Sequence, residues 1–211
     1  MNPCGLNNLD FSHQGFFKLN FDGASKGNPG PAGFGGVIRD HLGTLQQLYF
    51  GNLGWDTNNS AELEGMWQGI LTARRHNLQP LIVEGDSQIL INMAIRIQNG
   101  SKARKIANSW RLEARLSSMA EEISNYNAIS FNHTKREGNK VADLLANIGV
   151  DSDKAFLEGH LNIIPTNQRK LECENLIHRD KETPDAGGRT AARGMPHAMH
   201  GLPRVNNTAP I

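Results

Sequence analysis

The sequence predicts an α/β fold in which a mixed sheet carries packed helices. Three observations predict it. The front of the domain reads as a three-strand meander, a short apolar strand follows in mid-chain, and the segments around that strand have helical spacing. In "FKLNFD", Phe17, Leu19 and Phe21 alternate with Lys18, Asn20 and Asp22, the period of a half-buried strand, so Asp22 falls on its polar side at its end. Two more strands are expected at about 33–40 and 44–52, joined by the short turn "HLG". "NNSAELEGMWQGILTARRH" is a helix with Asn or Ser as N-cap and Glu62 and Glu64 in its first turn. "PLIVEGD" is a fully apolar strand, and "SQILINMAIRIQ" the helix after it. A helix over about 104–126, a strand "AISFNHT" and a last helix "NKVADLLANIG", closed by Gly149 as C-cap, complete the order βββαβααβα. This gives an N-terminal extension at 1–13, one domain at 14–150, and a tail at 151–211. The tail has Phe156 as its one aromatic and holds five of the nine prolines, and is expected to be disordered.

Composition narrows the function. With 22 basic and 21 acidic residues the net charge is +1, so affinity for nucleic acid must come from local clustering. Cys4 and Cys173 alone exclude a disulfide framework and a four-Cys zinc site. No apolar run reaches membrane-spanning length, and the first residues lack a basic and an apolar region, so the chain reads as soluble and intracellular. The compartment is not legible.

Asp22 and Asp86 both end strands, where sites form in open α/β sheets. Taken singly, Asp86 is also a helix N-cap and Asp22 a turn residue. Steps of four, seven and eleven from Glu62 meet Met66, Gly69 and Ala73, whereas Glu64 leads to Gln68, Leu71 and Arg75. Glu62 is therefore expected to point inward and Glu64 outward. A carboxylate on an inward stripe is costly unless paired or holding a metal. Asp143 lies at the edge of the face formed by Val141, Leu144, Leu145 and Ile148, and His133 closes the last strand. No His or Cys stands at zinc-ligand spacing near His133. Four acids without such neighbours form an all-oxygen set suited to Mg²⁺ or Mn²⁺, and two ions about 4 Å apart can drive displacement at phosphorus.

The loop "NFDGASKGNPGPAGFG" does not cradle a nucleotide: Lys26 precedes Gly27, and the chain runs on into a strand where a phosphate-binding loop needs a helix. It reads as a turn in which Gly23 lets the backbone bend close beside Asp22.

In their order, "FDGASKGNPGPAGFGGVI", "TNNSAELEG", "EGDSQIL" and "NHTKREGNKVADLLAN" resemble type 1 ribonuclease H, in particular the RNase H-like domains of plant retroelements. The resemblance implies an RNase H-like, five-stranded mixed sheet: a three-strand antiparallel meander plus two parallel strands, with helices on both faces. It implies that Asp22, Glu62, Asp86 and Asp143 bind two Mg²⁺ ions, for which Mn²⁺ substitutes, and that His133 moves protons or aids product release. It implies endonucleolytic hydrolysis of the RNA strand of RNA/DNA hybrids, leaving 5′-phosphate and 3′-hydroxyl ends, by a monomer. Ser25, Asn28, Asn58, Asn59 and Gln88 would lie against the hybrid's minor groove and Thr57 against a DNA phosphate. Between Arg96 and Arg115 six basic residues face Glu113 alone, a cluster that corresponds to the basic protrusion of bacterial members or to a solvated helix face. The rival readings are a catalytically silent nucleic-acid-binding module of the same fold and a retroelement-derived fragment.

Overall fold

Phe17, Leu19 and Phe21 open a strand, β1 (Phe17–Ser25), whose odd positions bury against one layer of helices. The computed structural model describes residues 15–107 and 109–182. β2 (Gly30–Asp40) pairs antiparallel with β1, and β3 (Leu45–Asp56) antiparallel with β2, which continues the meander. Both run longer than the sequence suggests, because Gly30, Pro31 and Ala32 already pair with β3 and the glycine-rich turn shrinks accordingly.

Helix α1 (Asn58–Arg75) carries the chain to β4 (Leu81–Gly85), which lies parallel to β1. Helix α2 (Gln88–Gln98) follows, then a single 3₁₀ turn at Ala103–Lys105, then α3 (Trp110–Ser124). The expected helix over 104–126 thus starts later, at the Ser109 cap, whose hydroxyl accepts from Leu112 N at 3.3 Å. β5 (Ile129–His133) pairs parallel to β4, and α4 (Lys140–Asp151) crosses the opposite face of the sheet. Val141, Leu145 and Ile148 of α4 bury against Val37, Leu48 and Phe50. Gly149 is no C-cap. It lies inside α4, where a Cβ would come within 2.5 Å of the Gly51 carbonyl and 2.7 Å of that of Phe34, so its role is close helix–sheet contact.

The expectation of a structureless tail from 151 fails over 151–182. β6 (Leu157–Gly159) adds a sixth strand antiparallel to β3, and α5 (Asn167–Glu182) lies on α4. The sheet order is β5-β4-β1-β2-β3-β6. Phe156 stacks near Phe34 on one face, while Ile164, Cys173 and Ile177 enter the core on the other. Few apolar residues do this work, which is why composition hid it. Glu158 anchors β6 to α1 by accepting from the Thr72 hydroxyl at 3.0 Å and pairing with Arg75 at 2.5 Å. The expected extension at 1–13, and the tail beyond 182, lie outside the described residues. Among those that are described, no helix is long and apolar enough to cross a membrane.

Candidate functional site

The parallel register fixes the first pair of acids. Asn20 of β1 lies beside Glu84 of β4, and two residues further along the chain from each stand Asp22, within β1, and Asp86, just past the end of β4. Adjacent strands run about 5 Å apart, so the two carboxylates stand close together where β4 stops. Asp22 does not end its strand, as β1 pairs on with β2 through Ser25. On the far side of β4, Gly85 pairs with His133, which brings the histidine to the same end. Its Nε2 lies 3.1 Å from the Asp86 carbonyl oxygen, and the ring is exposed.

Two helices deliver the other acids from opposite faces. α1 starts directly over the end of β1: a Cβ on Gly23 would lie 2.1 Å from Glu62 N and 2.3 Å from Ala61 C. Gly23 therefore serves helix approach more than a chain bend, and that approach sets Glu62 beside Asp22. α4 comes from the other face. Asp22 is registered opposite Gly35, on which the Leu145–Ala146 backbone of α4 rests, and Asp143 sits half-buried two residues before Leu145.

Asp22 is 7% exposed, and its Oδ1 accepts from Gly23 N at 2.8 Å. Its carboxyl is pushed up to about 8, first by burial and next by the charge of Asp86, with Asp143 and Glu62 adding in the same sense. Glu62 is raised as well, chiefly by burial; a Ser87 hydroxyl and the Asn58 amide, which donates to Oε1 at 2.7 Å, partly offset this. Glu62 Oε2 is buried with no hydrogen-bond partner of ordinary geometry. Among the described residues, no three Asp, Glu, His or Cys side chains enclose a metal site as they stand. The donor set nevertheless fits a hard cation: all oxygen, mutually repelling, and with one buried carboxylate oxygen lacking a donor.

That electrostatics predicts a pH dependence. Unfolded, Asp22 titrates near 3.8; folded, near 8. Between those values the native state holds a proton that the unfolded chain has released, so this contribution to stability is complete below about 4 and is lost as pH rises through about 8. The Tm of metal-free protein is expected to fall over that range, and Asp22→Asn to flatten the slope. A slope unchanged in the variant would contradict this account.

The other sequence-derived residues divide into two groups. Thr57 is the N-cap of α1, its Oγ1 accepting from Ser60 N at 3.3 Å, and Asn58 is turned to Glu62. Ser25 Oγ donates to the Asp56 carbonyl at 3.0 Å, Asn28 Oδ1 accepts from Asn58 N at 3.2 Å, and these bonds tie the glycine-rich turn to the start of α1. Asn59 is exposed, as is Gln88, whose amide reaches Asn92 at 3.0 Å.

Glu64 departs from expectation. It is 8% exposed, accepts from Gln68 at 2.8 Å and pairs with Arg115 of α3 at 2.5 Å. α1 is covered on two flanks, by the sheet and by α3, so a single inward stripe does not describe it. Arg115, which also lies over the Trp67 ring, is thereby withdrawn from the basic cluster. A groove of about 670 Å³ runs between the starts of α1, α2 and α3, lined by Thr57, Asn59, Ile89, Trp110 and Arg111 among others. Trp110 is 74% exposed, with the Arg111 guanidinium 5.4 Å from its ring centre. Sequence reasoning missed Asn139, which resembles an ordinary cap but donates to the Phe21 carbonyl next to Asp22, and Ser87, whose nearness lowers the Glu62 carboxyl.

The profile of the reverse transcriptase-like family matches residues 20–149, a span that contains all four acids and His133. An Arabidopsis thaliana protein named for ribonuclease H is 32% identical over 163 residues, 77% of this chain, which spans 25% of that relative's length. Ribonuclease H of Bordetella avium is 31% identical over 139 residues, 62% of this chain and 88% of its own. Among solved structures, RNase H1 of Halobacterium salinarum superposes with a TM-score of 0.57 at 28% identity, covering 65% of this chain and 98% of its own. LC11-RNase H1, solved in complex with an RNA/DNA hybrid, gives 0.56 at 27% identity, covering 64% and 96%.

Proposed function

The chain belongs to the reverse transcriptase-like family with the ribonuclease H fold, and from that premise we propose that it is a ribonuclease H that hydrolyses the RNA strand of RNA/DNA hybrids with two divalent cations. The observation that carries the reading is the convergence on Asp22, 7% exposed: α1 brings Glu62 over the neighbouring Gly23, β4 ends at Asp86 beside β1, and α4 carries Asp143 across Gly35, so four acids crowd where burial deprives them of water's relief. Such a cluster is stable in its charged form only around a cation. Asp22, Glu62, Asp86 and Asp143 would hold Mg²⁺ or Mn²⁺. When bound, the ions supply activation of the attacking water and neutralisation of charge on the leaving oxygen.

The chain's own groups supply the rest. Asn58, one turn earlier on α1, holds one oxygen of the Glu62 carboxylate. With Nε2–H directed at the Asp86 carbonyl, His133 keeps Nδ1 as the atom that takes up and releases a proton beside the reacting phosphate. Asn59, Gln88 and the turn at Ser25–Asn28 would meet 2′-hydroxyls across the minor groove, which distinguishes RNA from DNA. The groove at Thr57, Trp110 and Arg111 would take the uncleaved DNA strand, its cation and amide groups facing phosphates.

A labelled RNA/DNA hybrid incubated with purified full chain tests the proposal. Cleavage of the RNA strand with Mg²⁺ and Mn²⁺, none with EDTA, and none of either duplex control is the expected result. Binding without cleavage would make the chain a nucleic-acid-binding module of this fold.

A further inference from the structure

Asn139 occupies the N-cap position of α4, and Asn is among the best residues for capping a helix. Its side chain makes no cap bond. Nδ2 instead donates to the carbonyl of Phe21 at 2.9 Å, a buried bond spanning 118 positions of sequence, and Phe21 is the residue before Asp22. The main-chain carbonyl of Asn139 accepts from Asp143 N at 3.0 Å. One residue, 1% exposed, is thus bonded by its side chain to β1 beside the first acid and, through the ordinary first main-chain bond of α4, sits one turn before the last acid. Its Oδ1 is buried without a partner. Forgoing a cap and burying an unpaired acceptor both cost stability, and a side chain that served only the fold would avoid both. α2 shows a related feature: its N-cap Ser87 makes no side-chain cap bond and stands close enough to Glu62 to lower that carboxyl.

We propose that Asn139 is a positioning residue: its amide fastens α4 to β1 and so sets Asp143 relative to Asp22, two of the acids that would hold a divalent cation. The inference rests on the metal-dependent reading above. A residue that orients ligands is worth about 10- to 100-fold in metal affinity. Asn139→Ser removes the reach to Phe21 while leaving a hydroxyl able to cap α4, so helix stability and metal affinity come apart.

The test is Mn²⁺ titration of the full chain without nucleic acid, followed by electron paramagnetic resonance, for wild type, Asn139→Ser, Asp143→Asn and the double variant, with thermal unfolding in EDTA alongside. The expected result is a folded Asn139→Ser whose Mn²⁺ affinity is about tenfold lower or worse, the loss largely vanishing in the Asp143→Asn background because it acts through that carboxylate. Affinity within about twofold of wild type, or an equal loss in both backgrounds, overturns the proposal. Asn139→Ala serves as a second variant. If it and Asn139→Ser both fail to fold where Asp143→Asn folds, the residue belongs to the fold alone and the proposal is also overturned. Failure of the ribonuclease reading shows separately, as wild type that leaves the hybrid intact.

Discussion

Asp86→Asn is expected to lower kcat on an RNA/DNA hybrid by about 10³-fold or more, with no loss of thermal stability in EDTA. Metal stabilisation of a phosphoryl transition state is worth several kcal/mol, and each ~1.4 kcal/mol is tenfold in rate. Stability is expected to hold or rise, because the Asp86 charge is, after burial, the largest cause of the raised Asp22 carboxyl. Removing it relieves a repulsion in metal-free protein and leaves the backbone carbonyl that faces His133 in place. Saturation kinetics at several Mg²⁺ concentrations, with unfolding measured beside them, check both halves. A variant that cleaves at the wild-type rate would take Asp86 out of the chemistry; one that loses its fold would make it a structural residue.

Gly23→Ala is expected to be nearly as damaging by a different route. The added Cβ meets main-chain atoms of Ala61 and Glu62, and main chain cannot swing aside as a flexible side chain would. α1 must lift from β1, which opens the core and carries Glu62 away from Asp22. The expected loss is about 4 kcal/mol or more, in the range kept for severe overpacking and strain. Gly54→Ala is the contrast: Gly54 has φ +75° and open space around it, so only backbone strain of about 1–2 kcal/mol applies. Urea unfolding of the two variants checks the difference, and equal losses would show that helix approach is not what Gly23 provides.

The candidate acids could be picked out because sequence pattern marks their neighbourhoods: the last polar position of an alternating run for Asp22, the residue after an apolar strand for Asp86, and the front of a helix for Glu62 and Asp143. Yet β1 runs three residues past Asp22, since its glycine-rich end still pairs with β2, and Glu62 falls in the second turn of α1, which starts at Asn58. What periodicity cannot see is a second neighbour. Glu64 read as outward because its row ends in Gln68 and Arg75, yet α3, more than forty residues on, covers that flank and supplies Arg115. Gly149 read as a stop because glycine often ends helices, while its use here depends on the backbones of Gly51 and Phe34 across the sheet. Residues 152–182 hold too few apolar side chains to announce a core element; Phe156, Ile164, Cys173 and Ile177 count only because the sheet edge and α4 offer them surfaces. Ser87 and Asn139 were hidden for the opposite reason, since both fit a local role that neither side chain performs.

The central claim, that Asp22, Glu62, Asp86 and Asp143 share bound cations, is tested most directly by soaking Mn²⁺ into crystals of the full chain and recording anomalous scattering at the manganese edge. The account predicts density between Asp22 of β1 and Asp86 beyond β4, with oxygens of Glu62 or Asp143 drawn in to coordinate it at ordinary metal–oxygen distances. Manganese found elsewhere on a chain that cleaves the hybrid, with these four carboxylates unligated, would contradict it.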